Sequence, residues 1–147
     1  MTEIIFLIIG AIIIIALGIY AGKMLFMLKQ QKLRQQNARN KRVESMVQSI
    51  QTIAFAMQQQ QCNYSEGAIR ICSLLRALPI KNIPDYALTF PHLHSLFDKV
   101  KDFPTHEERN ALSKQERRQQ DKLREQFESE AESKIQEEIE RLKKFTC

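Results

Sequence analysis

Nineteen consecutive residues, Ile4 to Gly22, carry no charge, and nine of them are isoleucine. A helix rises about 1.5 Å per residue, so a run of ~19 residues reaches roughly 28 Å, close to the ~30 Å hydrocarbon core of a bilayer. Glu3 and Lys23 bound the run, which resumes beyond Lys23 as Met24, Leu25, Phe26, Met27 and Leu28. Lys23 can extend its ammonium to the headgroups while its stem stays in lipid. The expected span is therefore 4–28, with Ile4, Ile8, Ile12, Ile15 and Ile19 along it and residues 1–3 as a short external N-terminus. Twelve residues of the uncharged run are Ile, Leu or Phe. At roughly −0.3 to −0.6 kcal/mol each they favour insertion by about 4 to 7 kcal/mol. A cleaved signal peptide needs a basic start and a shorter apolar core. Here the chain starts Met1-Thr2-Glu3, and only Ala16-Leu17-Gly18 resembles a cleavage site.

Charge gives the span a direction. Lys23, Lys29, Lys32, Arg34, Arg39, Lys41 and Arg42 follow it, with no acid before Glu44. Basic flanks stay on the cytoplasmic side. The N-terminus is expected outside and everything beyond Lys23 inside. Lys23, Lys29, Lys32 and Arg34 lie close enough to touch anionic lipid, where each cation contributes about 1 kcal/mol. Residues 29–42 hold only Leu33 and Ala38 as apolar side chains and read as a basic juxtamembrane stalk. Gly18 and Gly22 have the small-x-x-x-small spacing that lets two spans approach closely, with Ala11 on the same face.

The basic flank accounts for the net charge of +5, because residues 44–147 hold 15 basic and 16 acidic side chains. A folded module that is nearly neutral does not present the basic face of a nucleic-acid binder. The three cysteines, Cys62, Cys72 and Cys147, show no C-x-x-C pair. In a reducing cytosol they are free thiols. No cofactor and no small-molecule substrate are expected.

The remainder reads as helices. Val43, Val47, Ile50, Ala54 and Met57 recur in steps of four and three, widened by Met46 and Ile53. The helix they form should end in the glutamine run 58–61. Asn63 and Ser65 offer caps for a second helix over 66–78, with Ala68, Ile71, Cys72, Leu75 and Leu78 on one face. Pro79 stops it, and residues 79–90 read as a loop pinned by Ile80, Ile83, Tyr86, Leu88 and Phe90. Pro91 suits the first position of a third helix, whose buried face is Leu93, Leu96, Phe97 and Val100. Thr105 with Glu108, and Ser113 with Glu116, have capping-box spacing. The second box opens a long helix over 114–144. Its stripe is Leu123, Phe127, Ala131, Ile135, Ile139, Leu142 and Phe145, with a period of about 3.67 rather than the heptad's 3.5. This stripe needs a partner surface, in the domain's own core or on another chain; Leu123, Phe127, Ile135, Ile139 and Leu142 are the candidate partner face. The expected fold is all-α: a transmembrane helix, a small cytoplasmic helical domain over 43–112 and a long charged amphipathic helix over 113–147.

Chemistry-bearing residues are few. His92 and His94 fall about 200° apart on a helix and cannot share a metal there. Together with His106, Cys62 and Cys72 they show no usual zinc-ligand spacing. These histidines read as surface or capping residues. Cys72 could pair with a histidine as a nucleophile, but it lies on a core face, where cysteine behaves as a small hydrophobe. Arg70, Arg76, Glu66 and Asp85 could form a polar recognition patch or an ordinary solvated face. There is no glycine-rich phosphate loop.

Four strings carry a resemblance: Ser65-Glu66-Gly67-Ala68-Ile69-Arg70, Leu74-Leu75-Arg76-Ala77-Leu78-Pro79, Phe90-Pro91-His92-Leu93, and Pro104-Thr105-His106-Glu107-Glu108-Arg109. With them the chain resembles a family of small bacterial single-span membrane proteins of unknown function. That resemblance implies an inner-membrane location and no activity. The expected function is a membrane-tethered cytoplasmic adaptor that touches lipid and binds a protein partner or a second copy. The alternatives are a self-associating scaffold of envelope or division machinery, and a small Cys/His enzyme or metal protein.

Overall fold

The structure is a computed structural model that describes residues 1–104 and 106–146, with the backbone alone for His106 and Glu107. It is all-α, with six helices and no strand among the described residues. The expected Thr105–Glu108 capping box lies outside the described residues.

The chain divides into two compact units, Met1–Lys41 and Arg42–Cys147. Helix α1 (Thr2–Gln58) supplies all of the first and the opening helix of the second. Residues 29–42 are helical within it. In the first unit the large apolar side chains from Ile4 to Leu28 are 48% to 74% exposed. This helix is long and apolar enough to cross a membrane.

The second unit has a single core. Ile50, Ala54 and Met57 of α1 are buried, with Val43, Met46, Val47 and Ile53 packed at its edge. The left-handed Gln60 ends the first helix and turns the chain. Helix α2 (Tyr64–Ala77) buries Ala68, Ile71, Cys72 and Leu75. Gly67 is required where α2 meets α1, because a Cβ there would collide with the Met57 side chain. Beyond Leu78 and Pro79 the chain makes one short helix, α3 (Tyr86–Thr89). Asp85 caps it, accepting the Ala87 N–H at 3.0 Å and the Leu88 N–H at 3.4 Å. Helix α4 (Pro91–Val100) starts on its proline and buries Leu93, His94, Leu96, Phe97 and Val100. Helix α5 (His106–Ala111) precedes α6 (Lys114–Leu142). The Ser113–Glu116 capping box is formed in both directions, at 2.8 and 3.3 Å.

Two sequence expectations change here. The 79–90 segment is not pinned along its whole length: Tyr86 and Phe90 are buried, while Ile83 and Leu88 face outward and Leu88 is 80% exposed. A four-residue helix places only its first residue and the cap beyond its end on the core. Residue 113 is also not a boundary between compact units. Helix α6 packs on α2 and α4, so 42–146 fold as one body.

Candidate functional site

The long helix organises the second unit, and it does so with polar as well as apolar side chains. Ile135, Ile139 and Leu142 are buried in the common core. Of the two partner surfaces expected for this stripe, the domain's own core covers these three, because α6 packs on α2 and α4. Phe127 is half-buried, its ring 6.3 Å from Phe103 and beneath the Lys99 ammonium at 4.9 Å. Of the candidate face only Leu123 stays exposed, at 40%. At Ala131 the stripe thins, and a cavity of about 280 Å³ opens there between α4 and α6.

Two glutamates of α6 close the open ends of other helices. The first N–H groups of any helix lack intrahelical partners. Glu128 Oε1 accepts the Ser65 N–H of α2 at 3.1 Å. Glu138, almost fully buried, accepts the His92 N–H on Oε1 at 2.9 Å and the Leu93 N–H on Oε2 at 2.8 Å. Each carboxylate also meets the positive end of a helix dipole. Asn63 sits at the N-cap of α2 as expected, whereas the cap expected of Ser65 is corrected. Asn63 makes no side-chain cap bond, and Ser65 lies inside the helix and is buried. The sequence reading missed Glu138, although Ile135, Glu138 and Leu142 share one face at three- and four-residue spacing. A carboxylate on that face was the signal, and its partners lie some 45 residues away.

The other singled-out residues are occupied within the fold. Arg70 pairs with Glu66 at 2.6 Å on an exposed face. Arg76 lies over the Phe97 ring at 4.5 Å. Asp85 is a cap. His94 is not a surface residue: it is buried, and its Nδ1 donates to the Phe90 carbonyl at 3.1 Å. The ring fills the space beside the first turn of α4 and ties that turn to its own start. His92 is half-buried. Cys72 is fully buried, and burial pushes its thiol up to about 12, the opposite of what a nucleophile needs. Cys62 is half-buried, and burial raises its thiol too. Among the described residues no three His, Cys, Asp or Glu side chains gather as metal ligands would. Nothing in this arrangement indicates catalysis.

Gly18 and Gly22 have open space where a Cβ would stand. Ile4, Ile8, Ile12, Ile15 and Ile19 share one face of α1 and are all exposed, as are Lys23, Lys29, Lys32 and Arg34.

A relative in Haemophilus influenzae, named an uncharacterized protein, is 39% identical over 135 residues, which cover 92% of this chain and 89% of that one. No solved structure matches the chain. The model of a family described as a protein of unknown function, DUF2489, matches residues 14–142. With nearly the whole chain matched, from within the apolar run to the end of α6, this protein belongs to that family.

Proposed function

We propose that the protein is a membrane-tethered cytoplasmic interaction module, anchored in a bacterial inner membrane by residues 4–28 with its N-terminus outside. One observation carries this reading: the most apolar window of α1 has none of its residues buried in the protein. Apolar surface of that extent calls for lipid, and a helix is the form in which a single segment crosses it with its backbone satisfied. The cations from Lys23 to Arg42 favour the cytoplasm for the second unit. That unit is folded around its own core and is close to neutral. Tethering raises its local concentration at the membrane without any new contact. Its partner would be a protein, met through apolar side chains left outward, among them Leu88 and Leu123.

A self-associating scaffold is the second reading. Gly18 and Gly22 favour it, because the open space beside them would admit the backbone of a second span.

The tether is tested by carbonate washing of membranes: the full chain stays with the pellet, and its release refutes the anchor. An impermeant maleimide should reach Cys62 only after permeabilisation; labelling in intact cells reverses the orientation. Photo-crosslinking side chains placed at Leu88 and Leu123 test the interaction in cells. A discrete adduct with another protein supports the adaptor. An adduct of twice the chain's mass supports the scaffold, and no adduct at either position removes both.

A further inference from the structure

A cavity of about 400 Å³ opens beside the start of α2, lined by three arginines, Arg70, Arg109 and Arg124. Two of them are matched. Arg70 pairs with Glu66, and Arg109 Nη2 donates to both Asp121 oxygens, at 2.8 and 2.9 Å. Arg124 is different. Its side chain is only 25% exposed, yet the nearest carboxylate oxygen among the described residues, Asp121 Oδ1, stands 3.9 Å away, too far for a hydrogen bond. Its guanidinium lies 5.7 Å from the Phe103 ring, which covers one side of it. Ser65, 3% exposed, also lines the cavity, and its hydroxyl has no partner among the described residues. Buried donors are ordinarily matched. Here a guanidinium held only by a long ion-pair contact and a ring face shares the wall of one cavity with a hydroxyl, and neither has a hydrogen-bond partner among the described residues.

The guanidinium fork fits planar or tetrahedral oxyanions through paired N–H donors. A carboxylate has two oxygens to offer, whereas a phosphoryl group has three, enough for Arg124, the remaining donors of Arg109 and Ser65 Oγ together. Ile69, Val100, Phe103 and Pro104 make the rest of the lining apolar. The acids nearby are already engaged: Glu66, in the lining, holds Arg70, Asp121 holds Arg109, and Glu128 holds the Ser65 N–H. The volume lies within the range of small-ligand sites. We infer that this cavity binds a phosphate monoester with a compact apolar group, its phosphoryl held by Arg124, Arg109 and Ser65. A soluble ester and a lipid headgroup share that chemistry. The inference stands independently of the adaptor reading.

Thermal unfolding of the full chain in a nonionic detergent tests it, with phenyl phosphate as the soluble probe and sodium chloride at matched ionic strength as control. Phenyl phosphate should raise the midpoint saturably. Arg124→Gln should weaken half-saturation about ten-fold or more, the size expected for losing one charge-assisted pair. Ser65→Ala removes a hydroxyl the free protein leaves unmatched, so this variant should fold as well as the parent while binding more weakly. Arg118→Gln, on the exposed side of α6, should behave as the parent. Phosphatidic acid added to the micelle forms the second arm. A saturable rise with phenyl phosphate assigns the site to a soluble ester. A rise with phosphatidic acid alone, lost in Ser65→Ala, assigns it to a headgroup. No rise beyond chloride in either arm overturns the proposal, and so does a rise that survives both Arg124→Gln and Ser65→Ala, which would place binding on the basic 29–42 run instead.

Discussion

The two ends of α1 are both rich in apolar residues and use them in opposite ways. From Ile4 to Leu28 apolar side chains surround the helix without a period, and all the large ones are exposed. From Val43 to Met57 they recur every three or four residues, and the face they form is buried. A period records a boundary between protein and water. Its absence over some 25 residues leaves a helix that is apolar on every side. The same contrast holds for glycine: Gly18 and Gly22 face open space, while Gly67 faces the Met57 side chain.

Four measurements test that contrast. The largest effect is expected from charge. Ile12→Arg with Ile15→Arg adds about 2.5 to 3.5 kcal/mol per arginine at mid-bilayer, enough to offset the run's preference for lipid. The chain should then leave the carbonate-washed pellet, while Ile50→Arg should stay in it with its second unit unfolded. If the first pair remains membrane-bound, the exposed run is not the anchor. Next comes the long helix. Ile139→Ala and Leu142→Ala should each cost about 2 to 5 kcal/mol in denaturant unfolding of the full chain, whereas Leu123→Ala should change it by less than about 0.5 kcal/mol. Equal effects would mean that α6 does not lie on the core as described.

Much of this was legible in the sequence, for a physical reason. Stretches governed by local pattern announce themselves: the uncharged apolar run, the buried stripe of α1, the α2 face that includes Cys72, Pro91 at the start of α4 and the Ser113–Glu116 box all depend on neighbours within one or two turns. What was not legible depends on distant partners. Nothing local tells that Glu128 and Glu138 close α2 and α4, that His94 is buried, or that Ile135, Ile139 and Leu142 are covered by the domain rather than by another chain. The arginine cavity is of this second kind, since Arg70, Arg109 and Arg124 come from three helices.

Smaller effects follow. Gly67→Ala should destabilise the second unit by about 1 to 3 kcal/mol through overpacking against Met57, with Gly18→Ala silent in the same unfolding assay. A silent Gly67→Ala would show that Met57 moves aside freely. The smallest effect concerns Cys72. Its folded-state thiol is raised to about 12 against a reference of 9.0, so the folded state holds the proton more tightly than the unfolded one. That contribution is fully present below about 9 and is lost as pH rises toward about 12. Cys72→Ala should therefore show a shallower loss of stability with pH in that window, and thiol reagents at pH 8 should modify Cys62 well before Cys72. Parallel pH profiles would remove the burial argument for Cys72.

Synthesis delivers α6 after the elements it serves. The starts of α2 and α4 emerge from the ribosome with bare amides and an unfilled trough, and the carboxylates of Glu128 and Glu138 arrive among the later residues to be joined. Until then the second unit waits, incomplete, for the side chains that close it.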